Sequence, residues 1–110
     1  MANTYGLTES DMAQIIAACH QFEEIAVVVL FGSRAKGNYK PGSDVDLAVK
    51  GDRITHRTIA QFADLLNEEL PLPYFFDVVH YNSLENQPLA DHIDRAGVVI
   101  YDRASELTPI

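Results

Sequence analysis

The sequence has very little cysteine, and this shortage limits where the protein can work. Cys19 is the only cysteine among 110 residues, so no disulfide can form within the chain. The first residues also lack the basic and then apolar pattern of a secretory signal. We therefore predict a cytoplasmic protein, in which Cys19 acts as a packing residue of an amphipathic helix.

Positive charge and long apolar runs are scarce as well. Eight Lys plus Arg stand against sixteen Asp plus Glu, a net charge of −8. This balance argues against a surface that binds nucleic acids or anionic membranes in general. The longest apolar run, Ile25–Phe31, is far shorter than the roughly 20 residues needed to span a bilayer. We therefore expect a soluble chain with no direct nucleic-acid partner and no membrane partner.

The histidines form no recognisable zinc motif. His20, His56, His80 and His92 show neither HExxH nor paired Cys/His spacing. His80 follows Asp77 by three positions, so on a strand its side chain would point to the opposite face. We interpret all four histidines as surface or packing residues.

Helical and strand patterns alternate along the whole chain, whose length fits one domain over residues 1–110. A short helical turn is predicted over Ser33–Lys36. The other predicted elements, in order, are a helix from Thr8 to about Phe22, a strand over Ile25–Phe31, a strand from about Asp44 to Lys50, a helix from Asp52 to Leu70, a strand over Tyr74–Tyr81, a helix that follows Ser83, an N-cap or turn residue, and that Gly97 ends, and a strand over Val98–Tyr101. This order predicts a small α/β (α+β) fold with helices packed on a mixed four-stranded sheet.

A Gly-Ser pair ends the first predicted strand. Gly32 and Ser33 can turn the chain sharply into a helix whose first backbone N–H groups point outward at a phosphate. Three of the eight basic residues, Arg34, Lys36 and Lys40, follow within this loop, where a triphosphate would need positive charge. For Lys36 and Lys40 taken singly, we favour the alternative that a solvated loop carries these lysines.

Two aspartates begin the second predicted strand. Asp44 and Asp46 would lie on one face of it, because side chains alternate across a strand. Like charges this close repel unless a cation lies between them, and Mg²⁺ favours carboxylate and phosphate oxygens. Alternatively, the two aspartates could simply form the wet face of a half-buried strand, since they alternate with Val45 and Leu47.

A third aspartate, Asp77, lies within an apolar and aromatic strand pattern. A buried charge costs several kcal/mol unless it is compensated. Three explanations are open: an ion pair with Arg95 or Arg53, an edge position that faces water, or a carboxylate cluster with Asp44 and Asp46. Such a cluster could hold two metal ions roughly 3.5–4 Å apart. Asp77 could also accept the proton of an incoming hydroxyl.

Together these residues resemble a known family. The stretch LFGSRAKGNYKPGSDVDLAV, with ten residues between Ser33 and Asp44 and a later strand-borne Asp77, resembles the nucleotidyltransferase superfamily that includes DNA polymerase beta. The sequence of this stretch and the short length of the chain are most similar to those of the minimal nucleotidyltransferase (MNT) antitoxins of HEPN–MNT toxin–antitoxin pairs.

The resemblance assigns roles to six positions. It implies that Gly32, Ser33 and Arg34 bind the nucleotide. It also implies that the three aspartates, Asp44, Asp46 and Asp77, hold Mg²⁺ and act in catalysis.

The resemblance further implies a reaction and a partner. AMP would pass from ATP to a tyrosine hydroxyl of a cognate HEPN ribonuclease toxin, which the modification silences. The toxin would supply the acceptor and the rest of the pocket. Two alternatives remain: a non-catalytic antitoxin that acts by binding, and nucleotidyl transfer to a small molecule, such as an aminoglycoside, with a helical partner subunit.

Overall fold

The computed structural model describes residues 5–40 and 42–107. None of the helices in these ranges combines the length and apolarity needed to cross a membrane. The elements, in chain order, are α1 (Glu9–His20), β1 (Val27–Phe31), α2 (Ser33–Lys36), β2 (Val45–Lys50), α3 (His56–Asp64) with a π-helical continuation (Leu65–Glu69), β3 (Phe76–His80), a 3₁₀ turn (Tyr81–Ser83), α4 (Gln87–Ala96), β4 (Val98–Asp102) and α5 (Arg103–Leu107).

The four strands form one mixed sheet in the order β3-β2-β1-β4, which confirms the predicted fold class. Strand β1 runs antiparallel to β2 and β4, whereas β2 runs parallel to β3. The carboxyl end of β1 therefore meets the amino ends of β2 and β3 at one end of the sheet. The predicted site residues lie at this end.

The sheet is covered on both faces, because alternate side chains of its strands enter two different clusters. On one face, Leu30 and Leu47 pack into the main core with α1 and α3. On the other face, Phe31 and Ala48 pack against Ile93 of α4. Cys19 of α1 is fully buried in the main core, which confirms the packing role predicted for it.

Helix starts were predicted with mixed success. Helix α1 begins after Thr8 in a capping box, in which the Thr8 hydroxyl accepts the Asp11 N–H at 2.9 Å. The predicted start at Asp52 is wrong, because this residue lies in a turn. Thr55 caps α3 instead. Ser83 is the turn residue, rather than the N-cap, of its two predicted alternatives. Asn86 caps α4, where its side-chain oxygen accepts the Leu89 N–H at 3.1 Å.

Strand ends and the last helix also differ from the prediction. Strands β1, β2 and β3 begin at Val27, Val45 and Phe76, one to two residues later than expected. Asp44 therefore precedes β2 instead of opening it. Helix α5 was not predicted from the sequence.

Candidate active site

Two of the three predicted aspartates lie in one row across the sheet. Phe31 of β1 is the register partner of Asp46 in β2, and Asp46 is the partner of Asp77 in β3. Directly paired residues of neighbouring strands point to the same face. Asp46 and Asp77 therefore share the face on which α4 packs, and Asp44 precedes β2 at the same end of the sheet.

The carboxylates influence one another electrostatically. Asp46 is half-buried, whereas Asp44 and Asp77 are exposed. Burial, followed by repulsion from Asp77 and then from Asp44, raises the pKa of the Asp46 carboxyl from 3.8 to about 6. The arrangement thus disfavours three simultaneous negative charges, which is the condition that a bound cation would relieve.

Asp77 is not buried, contrary to the setting that its apolar neighbours suggested. Strand β3 is at the edge of the sheet, and the Asp77 side chain is exposed to solvent. Of the three explanations from the sequence, the edge position facing water therefore accounts for its charge. Exposure also leaves Asp77 accessible to a molecule that approaches this edge.

Asn67 holds the start of the edge strand beside Asp77. Its side-chain amide donates to the Phe76 carbonyl at 3.0 Å, and its side-chain oxygen accepts the Phe76 N–H at 2.7 Å. Asn67 lies in the π-helical segment that continues α3. Sequence reasoning missed this residue, because nothing local marks an asparagine that pairs with a strand nine residues later.

Gly32 makes the turn that the sequence predicted, with φ +79° and ψ −155°. A Cβ at this position would overlap the Asp46 carboxylate. Position 32 therefore requires glycine for two reasons: the positive φ angle and the close approach of the Asp46 carboxylate.

Ser33 is the first residue of α2, and Gly32 is the N-cap. The Gly32 carbonyl accepts the Lys36 N–H at 3.1 Å, which closes the first turn. The N–H groups of the first residues of such a helix have no acceptor within it. The Ser33 hydroxyl does not cap the helix, because Gly32 occupies the N-cap position.

Arg34 is placed differently from a residue that faces a nucleotide. Its side chain is 2% exposed. Nε and Nη2 donate to the Ser43 carbonyl at 3.1 and 2.7 Å, and Nη1 donates to the Tyr5 carbonyl at 3.0 Å. The guanidinium also lies near the rings of Tyr39 and Tyr74, at 5.3 and 4.9 Å from their centroids. These contacts indicate that Arg34 fixes the loop between β1 and β2.

His92 is the second residue near the site that sequence reasoning missed. The Gly32 N–H donates to its Nε2 at 3.3 Å, although the two residues are 60 positions apart. His92 is a packing residue, as predicted, since its ring lies edge-on to Phe31, and it also makes this hydrogen bond, which was not predicted. No sequence motif could have found it, because only the packing of α4 on the sheet brings it to the turn.

A cavity of about 500 Å³ lies away from these residues. It is lined by Ile54, Thr55, His56, Ile59, His80 and Ser83. His80 ends β3, whereas Asp77 lies near its start, so this cavity is at the other end of the strand. Its lining includes none of the predicted site residues.

The donor set at the aspartates suits Mg²⁺. Carboxylate oxygens are its preferred protein ligands, and burial, followed by repulsion from Asp77 and Asp44, raises the pKa of the Asp46 carboxyl. In the described ranges, however, no three His, Cys, Asp or Glu side chains lie close enough to form a metal-binding group by themselves. Mg²⁺ commonly takes only one or two carboxylates together with substrate phosphates and water, so the residues fit such shared binding.

A family model for the nucleotidyltransferase domain of polymerase beta matches residues 13–106, which is most of the chain. The chain therefore belongs to the polymerase beta nucleotidyltransferase family. No curated protein matches its sequence significantly.

Several solved structures share the fold. A toxin–antitoxin complex with AMP-PNP superposes with a TM-score of 0.71 at 23% identity, over 88% of this chain and 79% of the other. A mutant MntA–HpeT toxin–antitoxin complex gives 0.65 at 19% identity, over 92% and 80%. A tri-AMPylated HEPN toxin from Shewanella oneidensis with its MNT antitoxin gives 0.63 at 21% identity, over 87% and 75%.

Proposed function

We propose that this chain is an MNT antitoxin that transfers AMP from ATP, with Mg²⁺, to a tyrosine hydroxyl of a cognate HEPN toxin. One observation carries the proposal. The half-buried Asp46 is paired with Asp77 and lies against Gly32. A carboxylate suited to bind a metal is therefore in contact with the Gly32-Ser33 turn, which is suited to bind phosphate. Membership of the nucleotidyltransferase family supports the same reaction class.

Mg²⁺ would be held by carboxylates of the set Asp44, Asp46 and Asp77 together with phosphate oxygens and water, and it would neutralise the charge of the triphosphate. The chain's own groups have separate tasks. The N–H groups at the start of α2 and the Ser33 hydroxyl bind phosphate oxygens. The buried Arg34 keeps the following loop in place.

The transfer itself balances as a simple displacement. The acceptor hydroxyl oxygen forms a bond to the α-phosphorus of ATP, and the bond from that phosphorus to the bridging β-phosphate oxygen breaks. Pyrophosphate leaves with the bonding electron pair, and Asp77 accepts the hydroxyl proton. The exposed position of Asp77 at the sheet edge suits this task, because an acceptor must reach it from outside.

A protein acceptor suits the surface around the site better than a small molecule does. Asp44 and Asp77 are exposed, and Phe75, two residues before Asp77, is 59% exposed. An exposed aromatic side chain of this kind is a common anchor in protein interfaces. The net charge of −8 also complements a basic, RNA-binding partner. Similar folds described as toxin–antitoxin complexes, one with an AMPylated toxin, support this choice.

Intact-mass measurement of the partner tests the proposal. The chain is incubated with ATP, Mg²⁺ and the toxin encoded beside it, and the toxin is then weighed. We expect a gain of one or more AMP units with the wild-type chain and none with the double variant Asp44→Asn, Asp46→Asn. An equal gain with the double variant, or no gain with the wild type, would overturn the catalytic proposal in favour of inhibition by binding.

A further inference from the structure

His92 connects helix α4 to the Gly32-Ser33 turn through one hydrogen bond. The backbone N–H of Gly32 donates to His92 Nε2 at 3.3 Å. A backbone N–H can only donate, so Nε2 must carry the lone pair and the neutral ring carries its proton on Nδ1. This bond therefore specifies one tautomer of a neutral imidazole.

Packing fixes where the imidazole lies. Ile93, the next residue of α4, is 2% exposed and packs into the cluster on this face of the sheet. Gly97 ends the helix so close to β1 that a Cβ there would overlap the Val29 side chain. The His92 ring also meets the Phe31 ring edge-on, with centroids 6.1 Å apart. The acceptor is thus held by the fold before any ligand arrives.

The bond to His92 holds the amide side of the turn, whereas the Gly32 and Ser33 carbonyls accept N–H groups within α2 and just after it. A glycine at φ +79° can reach many other backbone conformations, which no side chain of its own restricts. The Asp46 carboxylate lies against its Cα, and His92 accepts its N–H. His92 thereby fixes the peptide plane that leads into Ser33 and the first N–H groups of α2.

We propose that His92 is a positioning residue for the nucleotide: its neutral imidazole holds the Gly32-Ser33 turn in the conformation that binds the triphosphate. This inference rests on the proposed function for its ligand, but the hydrogen bond itself is independent of it. His92 does not touch the reacting atoms. Its loss therefore weakens nucleotide binding more than it slows the chemical step.

Two substitutions separate the hydrogen bond from the packing. His92→Phe keeps an aromatic ring against Phe31 but removes the acceptor. His92→Gln places an amide oxygen at a reach similar to that of Nε2 and keeps the acceptor. His56→Phe is the matched control, because His56 is exposed at the start of α3, away from the turn.

The first measurement needs no nucleotide. Amide hydrogen exchange at Gly32, followed by NMR, should quicken about five- to tenfold in His92→Phe, the effect of losing one ordinary hydrogen bond. His92→Gln should restore most of the protection, and His56→Phe should leave it unchanged. The Leu30 amide, within β1, should exchange as in the wild type in every variant, which shows that the sheet is intact.

The second measurement is the kinetics of AMP transfer to the partner. We expect the KM for ATP to rise about tenfold in His92→Phe with a smaller change in kcat, and to return toward the wild-type value in His92→Gln. An unchanged Gly32 exchange rate or an unchanged KM in His92→Phe would overturn the role of His92. If the wild-type chain transfers nothing, the proposed function fails, while the exchange rates still show whether His92 holds the turn.

Discussion

The Asp46 carboxylate lies against the α-carbon of Gly32, in the space that a side chain at position 32 would occupy. This contact joins the turn at the end of β1 to the carboxylate row that crosses β2 and β3. The two halves of the sequence motif are therefore one physical unit. A change on either side should disturb the other.

Gly32→Ala should abolish most transfer activity. The new methyl group would overlap the Asp46 carboxylate and would also force an L-residue into a positive φ. Displacement of a positioning group by about 1 Å can cost about 100-fold in rate, so we expect at least that loss of kcat/KM.

Gly37→Ala is the control for backbone strain. Gly37 also has a positive φ, +87°, but a Cβ there would meet nothing within 4 Å. It should lose about 1–2 kcal/mol of unfolding free energy from strain while keeping its transfer rate. If both variants lost activity equally, the contact between Gly32 and Asp46 would not explain the requirement for glycine.

Asp46→Asn should stabilise the chain while it removes activity. The pKa of Asp46 is raised to about 6, first by burial and then by Asp77 and Asp44, so its charged form is disfavoured in the folded state. Without metal, at pH 7, the neutral amide should therefore raise the unfolding free energy by about 1 kcal/mol, or Tm by roughly 4–8 °C. Thermal unfolding in the presence of a chelator measures this difference.

The raised pKa of Asp46 also predicts how the stability difference between the wild type and Asp46→Asn depends on pH. Because the folded-state pKa lies above the unfolded value of 3.8, the folded chain binds more protons between about pH 4 and 6. The wild type should lose stability relative to Asp46→Asn as pH rises through this window, and the two should converge below it. A less stable Asp46→Asn at pH 7 would contradict the electrostatic account.

Arg34→Met should destabilise the fold. Its removal leaves the Ser43 and Tyr5 carbonyls without their donor and takes a cation from between two aromatic rings. We expect a loss of about 2–4 kcal/mol in urea denaturation. Arg34→Lys should recover little, because an ammonium cannot reproduce the forked donor geometry.

Lys36→Met, two positions later on the same short helix, is the control for charge. Lys36 is exposed, so the unfolding free energy of the Lys36→Met variant should differ from that of the wild type by no more than about 0.5 kcal/mol. If Arg34→Met were as stable as the wild type and had only lost ATP affinity, the nucleotide-binding role predicted from the sequence would be right.

Tyr74→Phe should weaken the attachment of helix α1 to the segment before β3. The Tyr74 hydroxyl donates to Asp11 Oδ2 at 2.6 Å. Burial raises the pKa of Asp11, but this bond, the two Thr8 hydrogen bonds and Arg34 together hold it below its ordinary value of 3.8. Hydrogen bonds to a charged group are worth about 1.5–3 kcal/mol, and we expect a loss near the lower value at pH 7.

Stability measured at acid pH tests whether the pKa of Asp11 is lowered in the folded state. A depressed pKa contributes stability that is present above about pH 4 and disappears as pH falls through the folded-state value. The gap between Tyr74→Phe and the wild type should therefore narrow below about pH 4. Tyr81→Phe breaks a bond of the same length to Asp94, but at an exposed site, so its stability should hardly change. A constant gap down to low pH would show that the carboxylate charge is not involved.

Local patterns predicted most of the fold and the motif part of the site. Val27–Phe31 is apolar without alternation because both faces of the sheet are covered, and the Thr8 and Asp11 pair marks a real helix start. These features depend on neighbours in sequence, so the sequence contains them. The grouping of Asp77 with Asp46 came from the family resemblance, because the residues alone left three explanations for Asp77 open.

The remaining features depend on packing between distant segments. Arg34 follows the Gly-Ser pair, yet its environment comes from Tyr5, Tyr39 and Tyr74, and no local pattern reports that these rings and carbonyls converge. His92 reaches the turn across 60 residues. Asp77 looked buried because its neighbours are apolar, while the position of its strand at the edge of the sheet decides its exposure.

The central claim is that AMP, rather than another part of ATP, passes to the partner at the aspartate row. It is tested most directly by parallel reactions with ATP labelled on the α-phosphate and ATP labelled on the γ-phosphate, each with Mg²⁺ and the partner toxin. The account predicts label on the toxin from the α-phosphate only, released pyrophosphate, and no transfer by Asp77→Asn. Label from the γ-phosphate, or full transfer by Asp77→Asn, would contradict it.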